Sequence, residues 1–321
     1  KIAPATPTRK KKAAAVVTPS PPSAPAKSSK TPAKSSSAAP PVDTDISVTG
    51  TDAADYEVVQ NPAGLWCDAV LNQCNINWNN NKYYRLQCLQ HKAGGFYAWF
   101  RWGRVGEATR VSSTTLSGPH PNKMAAYKEF TKKFQSKTGN AFGTANFVPK
   151  TGKYDLIEID NDVEVSEDYK VSAVNEDLQY EESVLDAKTK ELIEVLFSED
   201  MRNEALSSFN LDLKRLPLGV PSQDQIQHGI DILDEIENTI NSKHGSSSES
   251  FQDLSSTFYT AIPHSFGRSA PPVIKTQDAV QSRFDMCNIL LDMYDTNETI
   301  REIQKKDAKK TTTLLPNQID Q

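Results

Sequence analysis

Trp102 and Arg104 stand two residues apart near the end of an aromatic run, Phe96–Glu107. In an extended chain that spacing sends both side chains to the same face. An indole beside a guanidinium can stack on a sugar or base while the fork of N–H groups grips a neighbouring phosphate. A core Trp next to a solvated Arg would carry the same three letters, so the surroundings must decide. They are basic: residues 76–154 hold thirteen Lys and Arg against only Glu107 and Glu129. Nucleic acids respond to local patches of this kind, which the overall net charge of −5 conceals.

The elements that must carry this pair can be read from periodicity. Phe96, Ala98, Phe100 and Trp102 alternate with Tyr97, Trp99 and Arg101, which predicts a strand, with Gly103 and Gly106 supplying turn geometry that other residues resist. Lys82–Gln90 alternates in the same way. His91–Gly95 makes a turn, so the two runs read as an antiparallel hairpin. Thr109–Leu116 is a further strand. After Pro121-Asn122 a helix is expected, with Ala126, Phe130 and Phe134 as its buried stripe, Lys128, Lys132 and Lys133 in water, and Gly139 ending it. The assembly is a small twisted antiparallel sheet crossed by one helix, with one basic surface.

The rest of the chain predicts a multidomain α+β protein. Residues 1–55 are rich in Pro, Ala, Ser and Lys and are read as a disordered basic tail, because they offer too little apolar surface to offset ordering. Its Arg9-Lys10-Lys11-Lys12 run suits nuclear import or DNA tethering, with a solubilising tail the equal alternative. This sheet-and-helix fold is assigned to residues 56–160. Residues 155–182 carry eleven Asp and Glu against Lys170 and read as a linker, bounded at 161–182, that could also lie against the basic domain. From Ser183 to about residue 310 an all-α bundle is expected. Ser183 with Asp186 and Ser222 with Gln225 mark helix starts as capping boxes. Leu185, Leu192, Ile193 and Leu196 follow the first. Ile226, Ile230, Leu233, Ile236 and Ile240 follow the second. Phe251, Leu254, Phe258 and Ile262 form a shorter helix stopped by Pro263, and Val280, Phe284, Cys287, Leu291 and Tyr294 stripe a long one over Gln277–Tyr294. Residues 311–321 are polar.

Cys67, Cys74, Cys88 and Cys287 form no C-x-x-C pair and the five histidines do not cluster, which argues against zinc and for a reducing compartment. No apolar run reaches membrane length, so no membrane partner is expected. The start at Lys1 instead of Met suggests a fragment or a processed product.

Three stretches in order resemble the DNA-dependent poly(ADP-ribose) polymerases of the short, zinc-finger-free type. Asn79–Tyr84 (N-N-N-K-Y-Y), Arg101–Gly106 (R-W-G-R-V-G), Lys132–Asn140 and Gly152–Asp155 are similar to the family's WGR domain. Pro217–Gly219 with Gln225-Ile226, and Phe258–Gly267 with Pro271–Ile274, are similar to its helical regulatory domain. Phe142 stands where many relatives carry Trp, which reads as a packing variation.

The resemblance implies a nuclear protein of the DNA damage response that binds strand breaks and regulates an NAD+-dependent ADP-ribosyltransferase forming poly(ADP-ribose). Trp102 would stack on the sugar at the break; Gly103 would lie within the same contact; Arg104, Asn81 and Lys82 would hold the 5′ phosphate. Lys137 and Tyr154 would complete the cradle, although a core role for Tyr154 is as strongly indicated. Partners would be broken DNA, the protein's own catalytic domain, histones and repair proteins. Lys27-Ser28 and Lys34-Ser35 would be serine acceptors. The resemblance places the catalytic domain beyond Gln321, so no catalytic or cofactor-binding residue is expected here, and NAD+ would be a co-substrate of the longer enzyme. His244-Gly245-Ser246 spells the family's NAD-gripping triplet but sits in a Ser-rich loop, outside any catalytic context. The alternative is a complete, non-catalytic DNA-end-binding module.

Overall fold

Alternating apolar and polar residues draw β3 (Asn80–His91) and β4 (Phe96–Arg104) into a long antiparallel hairpin. Gly94 and Gly95, at φ 106° and 93°, make its turn. The structure, a computed structural model, describes residues 39–159, 186–189, 208, 209, 211, 221–242, 247–292 and 294. The register runs from Gln90↔Phe96 to Lys82↔Arg104. β2 (Asp68–Asn75) pairs with the free side of β3, β6 (Asp155–Ile157) with β2, and β5 (Thr114–His120) with β4, giving the order β5-β4-β3-β2-β6. β1 (Tyr56–Val58) adds to the far part of β3. The strand expected at Thr109–Leu116 therefore begins later, since Val111–Ser113 forms a 3₁₀ turn first.

The helix α1 (Lys123–Thr138) starts where the Asn122 side chain accepts from the Ala125 amide and stops at Gly139, at φ 72°. Its Ala126, Phe130 and Phe134 are buried against Leu86, Cys88, Ala98 and Phe100 of the sheet. Phe142 meets Phe130 and Phe134 edge-on at 4.8 and 5.3 Å, consistent with a packing role.

The opposite face has two covers. One is Val42–Asp55, which the composition placed in the disordered tail. Ile46 is fully buried there with Tyr56, Val58, Leu89 and Trp99. Asp43 forms a two-pronged pair with Arg101, at 2.6 Å to Nε and 2.9 Å to Nη2, and accepts from Trp99 Nε1 at 2.9 Å. Burial raises the Asp43 pKa, but the charges of Arg85 and Arg101 and the hydrogen bonds from Arg101 and Trp99 outweigh it and hold the carboxyl below its ordinary range. A Pro- and Ser-rich average hid this segment because the sheet, and not the segment, supplies most of the core. The tail before residue 39, with Arg9–Lys12 and the Lys-Ser pairs, lies outside the described residues.

The second cover is helical: α2 (Gln223–Asn241), α3 (Ser248–Ala261) and a helix over residues 277–292. Ile226, Leu233, Ile236, Phe258, Val280, Cys287 and Leu290 share one cluster with Val70, Cys74 and Tyr83 of the sheet. In the last helix Leu290 is fully buried and Leu291 only partly so, which moves the stripe by one residue. Ser222 caps α2 by accepting from the Gln225 amide at 3.1 Å. The expected return bond is absent: the Gln225 side chain donates to the Ala261 carbonyl at 2.8 Å instead. Asp186 caps its own turn, accepting from Lys188 and Thr189. Ser183, Leu185, Leu192, Ile193, Leu196, Pro217–Gly219 and His244–Ser246 lie outside the described residues, as do 160–182 and 295–321. Residues 155–159, at the end of the domain expected over 56–160, join the fold through β6 and the Ile159↔Pro221 bridge.

Candidate nucleic-acid interface

The register that pairs Tyr84 with Trp102 sets their rings on the α1 side of the sheet, stacked at 5.6 Å with planes 13° apart. Tyr154 closes edge-on against Tyr84 at 6.1 Å, and its amide donates to the Lys137 carbonyl at 3.1 Å. Tyr154 is half-buried, so it packs and still borders the surface. Lys137 Nζ lies 4.7 Å from the centre of the Tyr84 ring, and Lys133 Nζ 5.2 Å from that of Phe100. Burial lowers the pKa of Lys137, and repulsion from Lys133, Lys153 and Lys82 adds to it. Among the described residues none of these four lysines has a carboxylate partner. A cluster of ammonium groups without a counter-charge is stabilised when an anion enters.

Arg104 sits at the edge of this surface, opposite Lys82 in the register. Its Nη1 donates to the Asn79 carbonyl at 2.8 Å, and its Nη2 to Asn79 Oδ1 at 2.6 Å and to the Ser269 carbonyl at 2.8 Å. Its Nε donates to the Gly267 carbonyl. All these partners are neutral, so the positive charge is oriented but not cancelled. Arg104 thus joins the basic surface to the loop that follows α3.

Two of the expected site residues face elsewhere. Asn81 alternates with Lys82 and points through the opposite face, fully buried, where its amide donates to the His264 carbonyl at 2.7 Å. It belongs to the seam between sheet and helices and does not share a phosphate site with Lys82. Gly103 lies in β4 without a positive φ. Its lack of a side chain makes room for Tyr83, since a Cβ there would come within 3.2 Å of that ring. Gly106 does need unusual geometry, at φ 83°, and a Cβ on it would strike Ser265 Oγ at 1.8 Å. The sequence reading missed Tyr84, Lys133 and Lys153 as site residues. The four-residue spacing of Lys133 and Lys137 on α1 was the available signal for one of them.

The seam adds polar bonds to the apolar core that sheet and helices share. Asn72 donates to the carbonyls of Tyr259 and Thr260 at 2.9 Å each, and Cys74 N to Thr260 Oγ1 at 2.9 Å. His264 is fully buried, stacked on Phe266 at 5.5 Å, and burial pushes its pKa down to about 3, with the charge of Arg283 acting the same way.

The family model for the WGR domain matches residues 67–148, and that for the poly(ADP-ribose) polymerase regulatory domain matches residues 183–321. The chain belongs to the poly(ADP-ribose) polymerase family. Residues 67–148, with β2 to β5 and α1, are its WGR domain, and the helical cover is part of its regulatory domain. The mouse protein mono-ADP-ribosyltransferase PARP3 is 38% identical over 235 residues, covering 70% of this chain and 43% of the relative. The human PARP3 is 35% identical over 261 residues, 79% of this chain and 47% of that protein. Human poly [ADP-ribose] polymerase 2 is 34% identical over 231 residues, 70% and 39% of the two chains. The chain therefore spans less than half the length of these relatives. Among the described residues no helix is long and apolar enough to cross a membrane.

Proposed function

We propose that this chain is the break-sensing and regulatory portion of a nuclear, NAD+-dependent protein ADP-ribosyltransferase of the DNA damage response. The observation that carries the reading is the Trp102–Tyr84 stack ringed by Lys82, Lys133, Lys137 and Lys153, with Arg104 at its edge. The stack offers an aromatic platform to an exposed sugar or base, and the cations answer a terminal phosphate. Stacking on a sugar and gripping a phosphate use no base edge, so recognition follows the break and not the sequence. Matches to transferases named for mono- and for poly-ADP-ribosylation support the reaction class, with NAD+ as the co-substrate of the whole protein.

Arg104 also supplies a route from DNA to the helices. Four of its five N–H groups are engaged by Asn79, Gly267 and Ser269. A phosphate that takes the guanidinium fork competes with those carbonyls and so alters how the loop after α3 is held. The test is binding of the full chain to nicked and to covalently closed circular duplex. Preference for the nick, weakened by about 1–3 kcal/mol in Trp102→Ala, is the expected result. Equal binding of the two circles would overturn the reading.

A further inference from the structure

Trp78 is the most exposed large apolar side chain described, at 77%, whereas Trp99 is fully buried. It is not a loose loop residue. It ends the 3₁₀ turn Ile76–Trp78, where its amide donates to Asn75 Oδ1 at 3.1 Å, and Asn79 closes the turn at φ 48°. The turn is fastened to the helices, because the Ile76 amide donates to Ser256 Oγ at 3.1 Å and Ile76 packs on the shared core. Asn79, the next residue, is the one that orients Arg104 through both its carbonyl and its side chain. Its side-chain Nδ2 also donates to the carbonyl of Arg268, whose own side chain is exposed.

Along the hairpin the order is therefore Trp78, then Arg104 on Asn79, then Lys82, then Trp102 on Tyr84. In sequence Trp78 precedes, and Tyr84 beneath Trp102 follows, Asn79, the residue that holds the Arg104 guanidinium. A solvated indole next in sequence to the residue that holds a guanidinium is suited to a nucleobase, which has a π-face and brings phosphate with it. We infer that Trp78 stacks on a nucleotide of the duplex arm across the break from Trp102, and so sets a preference for breaks that present two arms. This rests on the DNA-break reading above.

The experiment compares the full chain with Trp78→Ala, Trp78→Phe and Trp102→Ala on three 5′-phosphorylated probes: a nicked dumbbell, a hairpin-capped duplex with one blunt end, and a closed dumbbell. Trp78→Ala should weaken binding to the nicked dumbbell by roughly 5- to 150-fold, the range for one base stack. Its affinity for the single blunt end should stay within about twofold, and Trp78→Phe should retain most of the nick affinity. Melting followed by circular dichroism should be unchanged, since the side chain is outside the core. Unchanged nick affinity in Trp78→Ala, or an equal loss on nick and blunt end, overturns the inference. If wild type does not distinguish nicked from closed dumbbells, the underlying DNA-break reading fails as well, which separates the two.

Discussion

The side-chain amide of Asn81 donates to the backbone carbonyl of His264 over 2.7 Å, across a seam in which both residues are fully buried. One strand residue of the WGR domain thereby satisfies a carbonyl in the segment just after the regulatory helix α3. Asn72 does the same for Tyr259 and Thr260. The two domains are joined by bonds that water cannot replace while the seam stays closed.

Removing either donor strands a buried carbonyl. Asn81→Ala and Asn72→Ala should each cost about 1–3 kcal/mol. Amide exchange should quicken around residues 258–266, while the β3–β4 hairpin keeps its protection. Uniform exchange over both domains would show that the seam is not a separate cooperative boundary.

The strap at Val42–Asp55 makes a second prediction. Asp43→Asn leaves Arg101 buried with its main counter-charge gone, and should destabilise the fold by about 3–5 kcal/mol in urea titrations near neutral pH. Because the folded Asp43 pKa lies below its ordinary value of 3.8, its contribution is complete above that value and is lost as pH falls through the folded pKa. Wild type and variant should therefore converge in strong acid.

His264 acts over a different window. Its folded pKa of about 3 lies well below the ordinary 6.5, so the unfolded chain binds more protons between these values. Stability from a neutral, buried His264 is complete above pH 6.5 and falls as the solution is acidified toward pH 3. The slope approaches about 1.4 kcal/mol per pH unit for this one group. His264→Gln should flatten the dependence across that window, as read from thermal melts at a series of pH values.

The lysine cluster predicts a salt dependence. If Lys82, Lys133, Lys137 and Lys153 neutralise phosphates, each Lys→Ala change should reduce the slope of log affinity against log salt by about one unit. Lys128, which faces away on α1, serves as the comparison: Lys128→Ala should leave the slope nearly unchanged.

Local pattern alone determined much of this protein. Alternation marked β3 and β4, the Ala126-Phe130-Phe134 stripe marked α1, and Asn122 and Gly139 marked its ends. Periodicity reports such elements because a residue's face follows from its place in the strand or helix. The same alternation set Trp102 and Arg104 on one face, and it also placed Asn81 opposite Lys82, although shared motif membership argued for grouping them. Only the tertiary structure decided what lay behind each face. Asp43 is an ordinary acid in a tail-like sequence until Arg101, fifty-eight residues away, makes it a buried ion-pair partner. Gly103 reads as a turn residue until the Tyr83 ring is seen lying against it. Arg104 and Gly267 are 163 positions apart, and Asn81 and His264 are 183 apart. Sequence periodicity fixes direction within an element, but bonds between distant elements depend on how their surfaces meet, and that is settled only when the helices close on the sheet.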